Sequence, residues 1–135
     1  MFNYNYFNDN AAGPDKYDLK RLKLENVREC GSSNCNPYYL FFYDETFSLP
    51  SKYTKAQDFW GYYNGANNNS SRIPFGTYLD LTEYKHFFLG DANRQPNATY
   101  IKTGTLKKIE YPTGGTTEFE FEPHDYSVFG NEAFA

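Results

Sequence analysis

From Thr105 to Glu122 the chain reads TLKKIEYPTGGTTEFEFE, and apolar and polar positions alternate along it with a period of two. Ile109 and Tyr111 interleave with Lys108 and Glu110 on the way in; Phe119 and Phe121 interleave with Glu118, Glu120 and Glu122 on the way out. That period predicts two half-buried antiparallel strands. Between them Pro112 presets φ for a turn, Thr113 follows, and Gly114 with Gly115 can supply the positive φ of a bulged hairpin loop. Phe119 and Phe121 are expected to face an interior while the three glutamates meet water.

A second hairpin is expected over residues 19–44. LKRLKLENVRE places Leu22, Leu24 and Val27 among charges, PYYLFFYD is a strongly β-forming run, and the Cys30 to Asn36 loop joins them. Residues 1–18, MFNYNYFNDNAAGPDKYD, mix rings with Asn and a Gly-Pro pair, which predicts an irregular arm whose rings dock elsewhere. From 45 to 100 the pattern loosens. Leu49-Pro50 breaks a strand, AQDFWGYYNGANNN sets Phe59, Trp60, Tyr62 and Tyr63 around Gly61, and LDLTEYKHFFL suits a short helix or a strand. Such a long loop inside a domain is expected to be functional or bound down by its neighbours, here by its rings. Residues 101–127 hold the hairpin described first and 128–135 form a tail. The fold class is therefore mainly β: one module of antiparallel hairpins with long aromatic-rich loops and at most one short helix, arranged as an open strip or part of a β-shell. Its open edges need partners or cover.

Composition changes this picture in one respect. Of 135 residues 21% are aromatic, from 14 Tyr, 13 Phe and one Trp, so a core has to be assembled mainly from rings. The net charge of -4 argues against nucleic acid, since phosphate binding needs clustered cations; Lys20, Arg21 and Lys23 form only a short basic run, expected on a solvated strand face. No apolar run approaches the roughly 20 residues that span a bilayer, and the first residues lack the basic-then-apolar pattern of a signal peptide.

Candidate chemistry is sparse. Cys30 and Cys35 flank Gly-Ser-Ser-Asn and could close a small disulfide across a hairpin tip or remain two thiols. With only these cysteines and the distant His86 and His124, a structural zinc site is not expected. No nucleophile elbow, P-loop or dinucleotide fingerprint occurs, so no cofactor and no catalytic residue is nominated. Asp58, beside Phe59 and Trp60, is the best single carboxylate for acid catalysis, with Asp44, Glu45 or Asp91 as guesses for a partner; a cap on local backbone amides is the preferred reading. His124, in EPHDY, could be oriented as a base by Glu122 and Asp125, although a His there more often ends a strand. Trp60, Tyr62 and Tyr63 with Asn64, Asn67 and Asn68 could form a sugar-binding platform, or the same rings could plug a core short of aliphatics; the plug is preferred. The sequons at Asn68, Asn69 and Asn97 would matter in a eukaryotic secreted protein.

Several of these segments also resemble one family. GTLKKIEYPTGGTTEFEFEPHDYS, Gly104 to Ser127, is similar to the YPTGG-x-T-x-F-x-Y-E segment of Bacteroidetes RHS/YD-repeat proteins. AQDFWGYYNG, Ala56 to Gly65, resembles their D-x-W-G-Y-Y-N-G segment, GDANRQPN, Gly90 to Asn97, their Gly-Ala-Asp-Arg-x-Pro connector, and RLKLENV with PYYLFFYD the hairpin before it. Phe59 stands where His is common and Asn93 where Asp is usual. The resemblance implies part of a very large secreted or cell-surface protein, near the start of repeats whose hairpins spiral into a hollow β-shell around a toxin. It implies a noncatalytic scaffold in which Tyr111, Pro112, Gly114, Gly115, Phe119 and Phe121 shape the hairpin and Phe59, Trp60, Tyr62 and Tyr63 pack between units. Its partners would be neighbouring repeats of the same polypeptide; the alternative is a carbohydrate-binding module around Trp60.

Overall fold

A computed structural model describes residues 1–8, 16–74, 76–80, 82 and 85–124. The protein is mainly β, and its chain divides into two compact units, Met1–Lys52 with Lys102–Phe121, and Tyr53–Ile101 with 122–124.

The first unit is an open five-stranded antiparallel sheet. In chain order the elements are β1 (Phe2–Phe7), the four-residue α1 (Lys16–Leu19), β2 (Arg21–Val27), β3 (Tyr39–Tyr43), β4 (Thr77–Asp80), β5 (Lys85–Phe88), β6 (Leu106–Glu110) and β7 (Thr116–Glu118). The sheet runs β1-β2-β3-β6-β7 and every neighbouring pair is antiparallel. Because β3 and β6 are adjacent, the chain leaves the sheet and returns beside its point of departure. That stem is closed by backbone bonds from Asp44 N to Thr105 O (2.9 Å) and from Gly104 N to Asp44 O (2.8 Å). Gly104, with φ of 74°, lets Leu49 approach so closely that a Cβ there would lie 2.8 Å from Leu49 Cδ2.

The hairpin β6–β7 forms where the alternation places it. Pro112 and Thr113 carry the turn, Gly114 N bonds Tyr111 O (2.9 Å), and Tyr111 N bonds Gly115 O (2.8 Å). Gly114 alone takes the left-handed conformation, at φ 87°; Gly115 does not need it, because one αL residue completes a turn-plus-bulge loop. The hairpin β2–β3 is laddered at Asn26↔Leu40 and Val27↔Tyr39. It continues outward through Asn36 N to Glu29 O (2.8 Å) and Gly31 N to Asn34 O (2.8 Å), and Cys30 and Cys35 are joined as a disulfide across the tip. Toward its other end the two strands part around a groove of about 380 Å³ lined in part by Lys23, Phe42 and Tyr43. The Tyr43 hydroxyl donates across the gap to Leu24 O (3.0 Å), and burial raises its pKa above the ordinary 10.0, partly offset by the Lys23 charge.

Three expectations are corrected here. The arm over 1–18 is not irregular at its start: β1 pairs with β2 from Phe2↔Val27 to Phe7↔Arg21, with a bulge between Asn3 and Tyr4. Asn, a poor strand former, is accommodated because Asn3 Nδ2 donates to Asn26 Oδ1 (2.8 Å) and Asn5 Nδ2 to Glu25 Oε1 (3.1 Å) across the pair. Phe119 and Phe121 are both 38% exposed, because β7 is an edge strand that ends at Glu118, before either ring. Lys23 is not solvated: its side chain is only 14% exposed, ion-paired to Glu45 at 3.0 Å with its ammonium 5.5 Å from the Phe7 ring centre. Phe7, packed edge-to-face on Tyr43 with centroids 5.2 Å apart, is the buried ring of this unit among the described residues. The segment after β3 is tied down by Asn8, whose Nδ2 donates to Leu19 O (3.0 Å) and Leu49 O (2.8 Å).

In the second unit Thr77–Asp80 and Lys85–Phe88 pair antiparallel, Thr77↔Phe88 to Asp80↔Lys85, so the described residues of LDLTEYKHFFL take the strand and not the helix. The expected tail, 128–135, lies outside the described residues.

Candidate functional site

The loop around FWGYYNG is held by its polar residues. Asp58 is 1% exposed; its Oδ1 accepts the amides of Trp60 (2.9 Å) and Tyr62 (2.9 Å), while its own N–H donates to Tyr62 O (2.8 Å). Its backbone carbonyl accepts from Gly61 N (3.2 Å) and from two nitrogens of Arg94, Nε at 3.0 Å and Nη2. Gly61, at φ 93°, turns the chain between Trp60 and Tyr62. Asn64, 5% exposed, works the same way: Nδ2 donates to Asn93 O (2.9 Å) and Gln95 O (3.1 Å), and Oδ1 accepts Ala66 N (3.1 Å). Asn69 ties Lys55 O and Asn93 to the same frame. Each staple satisfies backbone groups that no helix or strand would otherwise satisfy.

Rings enter on top of this frame. Tyr63 packs edge-to-face on Tyr100 (centroids 5.4 Å), and Gly65 is required beside them, since a Cβ there would sit 2.4 Å from the Tyr100 ring. The other three rings of the cluster are not a plug. Phe59 is 50% exposed, with the Arg94 guanidinium 5.5 Å from its centre; Trp60 is 43% and Tyr62 48% exposed. The plug reading fails because Asp58 holds Trp60 and Tyr62 by their backbones at a turn, leaving their side chains outward. His124 lies against both, 5.4 Å from Trp60 at 36° between planes and 5.7 Å from Tyr62 at 33°.

Of the expected platform, Trp60 and Tyr62 stay partly exposed with His124 against both, while Tyr63 and Asn64 are spent on structure. Asn67 bonds the Tyr63 hydroxyl (3.2 and 3.1 Å). His124 was expected as a strand end or a base; its place beside two aromatic rings is visible only once the chain is folded. Asp58 acts as the cap, Asp91 accepts the Ser70 hydroxyl on both oxygens (2.9 Å each), and Asp44 and Glu45 belong to the sheet unit. Asp44 Oδ1 accepts Thr46 N (3.0 Å), and its bonds to Thr46, with lesser help from Lys107 and Lys102, hold its carboxyl below the ordinary 3.8.

Among the described residues no group of three or more His, Cys, Asp or Glu is placed to hold a metal, and no helix is long and apolar enough to cross a membrane. Comparison with known proteins finds no matching family model, no matching curated protein and no matching solved structure.

Proposed function

We propose that this chain is a noncatalytic structural module of a large secreted or cell-surface protein of the RHS/YD-repeat kind, contributing hairpins to a larger β-assembly. The observation that supports the reading is the open sheet: β1 and β7 are its edges, and Phe2, Tyr4, Tyr6, Leu22, Tyr39 and Phe119 stand exposed on it. A strand-turn-strand unit that leaves edges and rings uncovered suits one strip of a repetitive scaffold, where the next unit supplies the cover. The test is the natural gene product. A polypeptide far larger than 15.7 kDa, with further hairpins of this type flanking the segment, is expected; a natural product of 15.7 kDa that remains a stable monomer contradicts the reading.

A second reading is supported by the exposed Trp60 and Tyr62. Two outward rings on a backbone pinned by Asp58 suit stacking against the apolar face of a sugar ring. Tryptophan fluorescence titrated with soluble glycans tests it: a saturable shift abolished by Tyr62→Ala supports carbohydrate binding, and no response across a glycan panel removes it.

A further inference from the structure

The two edges of the sheet differ in kind. β7 has three residues and ends in Glu118, with Glu120 and Glu122 following, which is how a sheet edge is protected against pairing. β1 is twice as long, FNYNYF, with no charged side chain, no proline and no glycine. That composition is the signature of a segment that accepts another strand.

The register of β1 states which groups it offers. Met1 and Arg28 exchange both backbone bonds, Met1 N to Arg28 O at 2.6 Å and Arg28 N to Met1 O at 3.0 Å. Inward and outward residues alternate in an antiparallel pair, and the bulge places its extra residue, Glu25, on β2, so the alternation along β1 is unbroken. Asn3, Asn5 and Phe7 therefore spend their amides on β2, and Phe2, Tyr4 and Tyr6 direct theirs away from the sheet. The Tyr6 amide fits this assignment, since it bonds its neighbour's side chain, Asn5 Oδ1, at 2.8 Å.

We propose that the outer edge of β1 is a self-association edge whose occupant is β1 of a second copy, antiparallel and centred on Tyr4. In that register Tyr4 faces Tyr4, Phe2 faces Tyr6 and Asn3 faces Asn5. Every outward amide meets an outward carbonyl, Phe2, Tyr4 and Tyr6 each meet a ring and each Asn meets an Asn, with no charged residue among these five positions. A register slip of one residue, which moves the centre half a residue, pairs outward groups with inward ones; moving the centre to Asn3 or Asn5 keeps outward against outward but loses part of the ladder. The arrangement is isologous and closes as a dimer. Its rings are available, Phe2 at 61%, Tyr4 at 54% and Tyr6 at 46% exposure. The Asn5 cap on Tyr6 covers the last outward amide of the free chain, and pairing releases it.

This proposal rests on the open edge that also supports the scaffold reading, and the two fail separately. A natural polypeptide whose preceding hairpin pairs with β1 overturns self-association and leaves the scaffold intact. The direct test is light scattering on the purified chain over a concentration series, with Tyr4→Lys and Tyr4→Glu. The wild type is expected to reach twice 15.7 kDa. Each variant alone is expected to dissociate at roughly tenfold or more higher concentration, because like charges face each other across the two-fold and a ring pair is lost. An equal mixture of the two variants is expected to recover the dimer, since Lys then faces Glu. A wild type that stays monomeric at every concentration, or a dimer indifferent to Tyr4, overturns the proposal. Hydrogen exchange at the Phe2 and Tyr4 amides needs no variant: slowing with rising concentration supports the edge, and rapid exchange independent of concentration contradicts it.

Discussion

The sheet unit and the Tyr53–Ile101 unit solve one problem, how to hold a chain with few aliphatic side chains, by opposite means. In the sheet unit the backbone bonds itself: β2, β3 and β6 form ladders, and side chains add Phe7 against Tyr43 and Lys23 against Glu45. In the other unit, outside the β4–β5 hairpin, side chains bond the backbone: Asp58, Asn64, Asn69 and Arg94 stand in for a ladder. The buried residues reflect the difference. Asp58 and Asn64 are more deeply buried than Phe7, which is 8% exposed. Asparagine, often a mark of loose chain, is here a structural donor and acceptor whose short arm reaches carbonyls two strands' worth of chain away.

The largest effect is expected of Asp58→Ala. It removes the shared acceptor of the Trp60 and Tyr62 amides and is expected to cost about 3 kcal/mol, since bonds to a buried carboxylate are worth more than neutral ones. Residue-resolved hydrogen exchange should show that loss at Gly61 and Asn64, with β3 and β6 amides unchanged. Reduction of Cys30–Cys35 is the converse perturbation: it frees a short loop at the β2–β3 tip and is expected to cost about 2 kcal/mol, read as a lower denaturant midpoint for the sheet signal alone. Gly114→Ala is smaller, about 1 kcal/mol, because a Cβ there meets nothing within 4 Å and only the left-handed backbone is penalised. Restoration of wild-type stability by Gly114→Asn sharpens that assignment. Smallest is the acid response of the sheet unit's stem. Asp44 has its pKa lowered on folding, so its contribution is complete above 3.8 and is lost as pH falls below that value, by less than about 1 kcal/mol given its exposure. Asp44→Asn should flatten this part of the stability–pH profile.

The parts of the fold legible from the amino acids are those written locally. Period two around Pro112 and Gly114 specifies the β6–β7 hairpin, and the two cysteines bracket the β2–β3 tip that they join. β1 carries the same alternation, Phe2, Tyr4 and Tyr6 against Asn3 and Asn5, yet Asn argues against a strand until its cross-strand partners Asn26 and Glu25 are known. Burial is the quantity least visible: Phe119 and Phe121 alternate as inward residues do, but whether an interior exists depends on layers far away in sequence. At the site, Asp58 as a cap was legible from its position before a Gly turn. The contact of His124 with Trp60 and Tyr62 was not, because it joins residues separated by the whole β6–β7 hairpin.

Outside the β4–β5 hairpin, side-chain staples do for Tyr53–Ile101 what ladders do for the sheet. Hydrogen exchange at the amides bonded to side chains outside any strand, Trp60, Tyr62, Ala66, Asn93, Gln95 and Thr99, tests it most directly. Exchange slowed on the order of a hundredfold or more relative to an unstructured peptide is the expected result; exchange of these amides at unstructured rates, while β2, β3 and β6 stay protected, would contradict it.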